Sequence, residues 1–128
     1  MDTKLFRETK DVLLSYIKYK HCSLIDCNKV TELNISNNLL NDQIINKINE
    51  CKYSKNIYNS IIEIINNFSE WNVCIIILHI TDILSLYYLH TKNNINDLIT
   101  LISAALMEKN YNWMINNNGW DGFINFLK

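Results

Sequence analysis

The segment VCIIILHITDILSLYYL, residues 73–89, is apolar almost all the way round. A membrane span needs roughly 20 such residues. This run is shorter and holds His79, Thr81 and Asp82 in its middle, where a bilayer makes ionisable groups costly. A helix hydrophobic on every face that does not span a membrane has to be wrapped by other elements. His79 and Asp82, three apart, fall on one side of it and read as a polar pair at the rim of a core. A catalytic dyad is disfavoured, because the sequence places no nucleophile or second carboxylate near them.

The wrapping elements are helices. The chain has no Pro and only two Gly, which leaves little punctuation for tight turns. Residues 3–20 place Leu5, Val12, Tyr16 and Tyr19 on one stripe, with Leu13 and Ile17 beside it. The segment 39–51 repeats at Leu40, Ile44 and Ile48. From 56 to 68 the pattern is Ile57, Ile61, Ile64, Ile65 and Phe68, and from 95 to 108 it is Ile95, Leu98, Ile99, Ile102, Ala105 and Leu106. These spacings define amphipathic helices facing a core. Residues 23–38 are less regular, with Leu24, Val30 and Leu33, and read as a further helix. Asn-rich joints at 37–38, 66–67, 93–94 and 116–118 supply breaks. The expectation is one all-α domain over 1–128, with about six to eight helices around one apolar helix.

Net charge is −1, with acids and bases interspersed, so no basic footprint for nucleic acid or an anionic membrane exists. The Asn/Ile/Lys bias is that of an AT-rich genome, such as a parasite's or a large DNA virus's. Cys22, Cys27, Cys51 and Cys74 form no CxxC pair and read as reduced thiols, Cys74 as a small core residue. A zinc site from His21, Cys22 and Cys27 matches no structural spacing. His21, His79, His90 and scattered carboxylates sit at no catalytic spacing. The expectation is therefore no enzyme, no metal and no cofactor.

The C-terminal stretch NWMINNNGWDGFINFLK, residues 112–128, is the most specific. Trp120, Phe123, Ile124 and Leu127 share one helical face. Asn118-Gly119 can take the positive φ that stops a preceding short helix ending at Trp113 and Met114, and Asp121 then sits in the next first turn. WMINNNGWDGFINFL resembles the second homology motif of the Bcl-2 family, Trp-Ile-x-x-Asn-Gly-Gly-Trp-Asp-x-Phe-Val-x-Leu. The matches are Trp113, Asn117, Gly119, Trp120, Asp121 and Phe123, with Met114, Ile124 and Phe126 conservative. Weaker likenesses follow in family order. DVLLSYIKYK, 11–20, is similar to the first-helix motif. VTELNISNNLL, 30–40, is similar to the internal third motif through Leu33 and Leu40, and EWNV, 70–73, resembles the Asn-Trp-Gly-Arg start of the family's central helix through Trp71. Decay of the other motifs is like that of the poxviral branch.

The resemblance implies a Bcl-2-like bundle of about seven to eight helices and a pro-survival role as an apoptosis inhibitor. In survival members a hydrophobic groove captures an amphipathic helix of a Bim, Bax or Bak type partner and so blocks mitochondrial outer-membrane permeabilisation. Matching places Val30, Leu33, Leu40, Ile44 and Ile48 on the near wall. Ile61, Ile64, Ile65 and Phe68 fall on the far wall, Asn72, Val73, Ile77 and Ile80 at the floor, and Phe126 and Leu127 at one end. For any single Ile, core packing fits the periodicity equally well. Val73 stands where cellular relatives carry the arginine that pairs with the ligand's aspartate; Lys47, Lys52 and Lys55 are candidate substitutes. The implied location is the host cell cytoplasm or the cytosolic face of the mitochondrial outer membrane. Tethered members add an apolar tail after the last helix, and whether such a tail was trimmed here is open. A swapped homodimer through the first helix is open too. The rival reading within the fold is a viral inhibitor of innate signalling to NF-κB that lacks a working groove; retention of the Trp113–Phe123 motif weighs against it.

Overall fold

The computed structural model describes residues 3–21, 35, 38–91 and 94–128. Among them the chain forms six α-helices: α1 (Thr3–His21), α2 (Asp42–Glu50), α3 (Ile57–Ile65), α4 (Trp71–Thr91), α5 (Ile95–Asn116) and α6 (Gly119–Leu127). A single 3-10 turn, Cys51–Tyr53, follows α2 directly. No strand occurs among the described residues. The helix anticipated over 23–38 lies almost wholly outside them, as do Val30 and Leu33.

Asparagine marks where helices begin. Asn41 Oδ1 accepts from the Ile44 N–H at 2.9 Å, Asn56 Oδ1 from the Asn59 N–H at 3.1 Å, and Asn94 Oδ1 from the Asn96 N–H at 2.9 Å. Each satisfies a backbone donor that has no carbonyl partner within its helix. The Asn-rich composition thus serves as punctuation in a chain without proline.

At the centre lies α4, packed against every other α-helix. All nine residues from Val73 to Thr81 are buried. Its 21 residues, with a mean hydropathy of 1.7 over the most apolar 18, are enough, by length and composition, to cross a membrane. The shorter run read from the sequence had argued against this on length; what speaks for a core helix is that 61% of its most apolar window is buried in this fold. Thr81 escapes the cost of burial by donating its hydroxyl to the Ile77 carbonyl at 2.8 Å. Cys74 meets Met114 on α5, sulfur to sulfur at 3.4 Å, and burial pushes its thiol pKa upward.

Around it, α1 buries Leu5, Val12, Leu13, Tyr16 and Ile17. This is the stripe its spacing anticipates, although the side chain of Tyr19 lies outside the described set. The α1 face weighed for a swapped dimer is thus buried within the chain at those positions. One element differs from the sequence reading. Residues 95–108 and the short segment ending at Met114 are a single helix, α5, that runs on to Asn116. Nothing between 108 and 113 stops a helix: Asn110 is buried instead of turning the chain, and its Nδ2 donates to the Glu70 carbonyl at 3.5 Å.

Candidate functional site

Two neighbourhoods carry the residues that the sequence singles out. The first is the corner where α5, α6, α1 and the start of α4 meet. Asn118 (φ 70°) and Gly119 (φ 58°) are both left-handed. They end α5 and redirect the chain within two residues. Asp121 then lies in the first turn of α6, where the helix dipole favours an acid.

The redirected helix drives Trp120 inward until it is 1% exposed. Its indole N–H donates to Thr9 Oγ1 on α1 at 2.9 Å, and the Thr9 hydroxyl donates onward to the Leu5 carbonyl at 2.7 Å. A buried indole needs such an acceptor. Trp71 at the start of α4 stacks edge-on to Trp113 (centroids 4.3 Å apart) and packs against Phe123 (5.8 Å) and Phe126 (5.9 Å). Gly122 lets the pieces approach. A Cβ there would sit 1.9 Å from the Asn117 carbonyl oxygen and 3.1 Å from the Trp71 ring. Trp113, Gly119, Trp120, Gly122 and Phe123 of the C-terminal motif therefore have packing or turn roles, and the motif's rings converge with Trp71 on one aromatic cluster.

The second neighbourhood lies between α2 and α3. A cleft of about 340 Å³ opens there, lined by Lys47, Glu50, Cys51, Ser54, Ser60, Glu63 and Ile64. Its floor is apolar: Cys51 and Ile64 are both buried. Lys47 and Glu50 stand on the α2 rim and Glu63 on the α3 rim. At one end the Ser60 hydroxyl donates to Ser54 Oγ at 2.7 Å and lies 3.2 Å from the Asn56 carbonyl. The Cys51 thiol donates to the Lys47 carbonyl at 3.4 Å. Burial, with the carboxylates of Glu50 and Glu63 adding to it, pushes that thiol up to about 11. It is therefore a neutral thiol at pH 7, a poor nucleophile.

Most of the apolar positions assigned to groove walls and floor are buried. Ile48, Ile61, Ile65, Val73, Ile77 and Ile80 are each 0% exposed, while Ile44 and Ile64 are buried nearly as deeply. They join α2, α3 and α4 as one core, with Leu40 and Phe68 partly buried at its edge. Asn72 is exposed on the first turn of α4. Phe126 is 53% exposed and Leu127 partly buried. Phe126 borders a second, smaller opening with Ser69, Glu70, Trp71 and Asn72. Glu70 there holds a left-handed φ of 55°, unusual for a residue with a Cβ.

Of the three candidate cations, Lys47 rims the cleft. Lys52 sits with Nζ 5.5 Å from the centroid of the Tyr87 ring, and Lys55 is exposed. Glu50, Cys51, Ser54, Ser60 and Glu63 were not anticipated as lining. They occupy the polar joint between two helices, where no periodicity reports on what faces what. Thr9 was missed for a similar reason, since a threonine on an apolar helix face carries no sign of its partner. No group of His, Cys, Asp and Glu suited to a metal occurs among the described residues. Comparison with known protein families, with curated proteins and with solved structures finds no match.

Proposed function

We propose that this protein is a pro-survival, Bcl-2-like apoptosis inhibitor that sequesters amphipathic helices of the Bim, Bax or Bak type between α2 and α3, above the central helix. The observation that carries the reading is the corner at Trp71. Residues that match the family motif by sequence alone, Trp113, Gly119, Trp120 and Phe123, form one turn and one aromatic cluster against the start of the apolar central helix. On this reading the partner enters at the cleft between α2 and α3. On this reading Lys47, which lines that cleft, meets a partner's acid in place of an arginine at Val73.

Because the apolar wall positions are buried, uptake of a helix requires α2 to part from α3. That is helix-in-groove recognition by a groove closed at rest. Micromolar to nanomolar capture needs about 8 to 12 kcal/mol net, and the apolar faces of α2 and α3 are the surface able to supply it once exchanged for those of the partner. Such a protein acts by affinity, in the cytoplasm of a host cell or at the cytosolic face of the mitochondrial outer membrane.

The same closure favours a second reading, in which the bundle is a viral inhibitor of innate signalling to NF-κB that uses outer helix faces. One experiment separates the two. An immobilised Bim-type helix retains the protein at micromolar concentration under the first reading, and a Leu→Glu change at one of its apolar anchors abolishes retention. Failure of every such helix to retain the protein leaves the second reading.

A further inference from the structure

If uptake of a helix parts α2 from α3, the two walls are not held alike. The α3 segment is tied to α5 on both sides. Near its start the Tyr58 hydroxyl donates to the Glu108 carboxylate. Beyond its end the buried Asn110 side chain donates to the Glu70 carbonyl at 3.5 Å. Between these anchors Ile61, Ile64 and Ile65 are buried. The hydrogen bonds of α2 stay within its own turns: Asn41 caps the Ile44 N–H, and the Cys51 thiol donates to the Lys47 carbonyl. Among the described residues, no side chain of Asp42–Glu50 is hydrogen-bonded or ion-paired to another helix. Ile44 and Ile48 join it to the core by apolar packing. The 3-10 turn after α2 does touch α4, with Lys52 Nζ 5.5 Å from the centroid of the Tyr87 ring, but that contact lies at the joint between the walls.

The joint itself turns at Ser54, whose backbone is extended (ψ 140°). Its hydroxyl belongs to the α3 side, accepting from the Asn56 N–H at 3.2 Å and from the Ser60 hydroxyl at 2.7 Å. A residue at the end of an element is where a swing is absorbed. We infer that Tyr58 is a positioning residue for helix capture: through Glu108 it fixes α3 to α5 as the standing wall, and α2 is the wall that swings. The inference rests on the reading that the protein captures an amphipathic helix, and it adds which wall moves and what holds the other. Without the tie α3 follows α2, and the partner meets a wall that has to be ordered as it binds, which weakens capture.

Distances between paired spin labels test this. One label sits at Asn112 on α5 and the other at Gln43 on α2 or at Asn59 on α3, all exposed positions. The labels enter as unnatural amino acids, so that the native cysteines stay untouched. A synthetic Bim-type peptide is expected to shift the Gln43–Asn112 distance in the wild type and to leave Asn59–Asn112 unchanged. In Tyr58→Phe the same peptide is expected to shift and broaden Asn59–Asn112 as well, with binding weakened about threefold. Glu108→Gln keeps an acceptor for the hydroxyl and is expected to hold α3 still, whereas Glu108→Leu releases it; circular dichroism checks that each variant folds. Peptide binding that moves Asn59 in the wild type, or leaves it still in Tyr58→Phe, overturns the role of Tyr58 and leaves helix capture standing. Absence of binding, with neither distance changed, overturns helix capture itself and this inference with it.

Discussion

The corner at Trp120 and the cleft between α2 and α3 are both built from short helices on the same central helix, yet they are held by different physics. At the corner, two left-handed residues, a glycine without space for a methyl group and a buried indole bonded to Thr9 fix α6 in one position. The cleft above the isoleucine core is lined instead by carboxylates, hydroxyls and a lysine. Geometry that tolerates no addition makes a rigid frame. A seam closed by apolar packing below and solvated charge above can part without breaking a buried hydrogen bond.

The contrast can be broken most forcefully at Gly122. Gly122→Ala forces a methyl group into the Asn117 carbonyl and is expected to cost about 3 kcal/mol, lowering the melting temperature by roughly 10 °C. Thr9→Val keeps the volume but strands the indole N–H of Trp120, and is expected to cost about 2 kcal/mol in denaturant unfolding. A neutral result in either would show that the corner is not the frame.

On the α3 side, Tyr58→Phe removes the hydroxyl that donates to Glu108 on α5. Burial and that bond hold the Tyr58 hydroxyl up at about 12, but the pair is exposed, so its loss is expected to cost under about 1 kcal/mol. A cost matching Thr9→Val would erase the difference between the two regions.

The gentlest probe is alkali. Unfolded thiols lose their protons near the ordinary value of 9.0, whereas Cys51 keeps its proton to about 11 and Cys74 is also shifted upward. Above pH 9 the native state therefore binds more protons than the unfolded state, and stability falls as pH rises from 9 toward 11. Denaturation midpoints across that window are expected to decline, with a shallower slope in Cys51→Ala; an unchanged slope would show that the floor of the cleft is wet.

Much of this frame is written in the sequence. The apolar run of α4, the break at 93–94 and the turn at Asn118-Gly119 before Trp120 were legible, whereas the caps at Asn41 and Asn56 lay outside the joints that the sequence marks. Two things were not legible. The run of α5 through Trp113 was hidden, because the apolar repeat ends at 108 and nothing in the sequence shows that Asn110 is buried against the Glu70 carbonyl. Nor could periodicity say whether Ile44, Ile48, Ile61 and Ile65 face a partner or one another, since a groove wall and a core wall repeat alike. The charged mouth of the cleft lay beyond reach as well, because Glu50 and Glu63 come together only when α2 and α3 pair.

Amide chemical-shift mapping of the whole protein during titration with a Bim-type helix addresses the central claim most directly. Helix capture at this seam predicts saturable shifts at Lys47, Cys51, Ser60 and Ile64, while Thr9, Gly122 and Trp120 stay still. A spectrum unmoved at micromolar peptide, or shifts confined to the Trp120 corner, would contradict it.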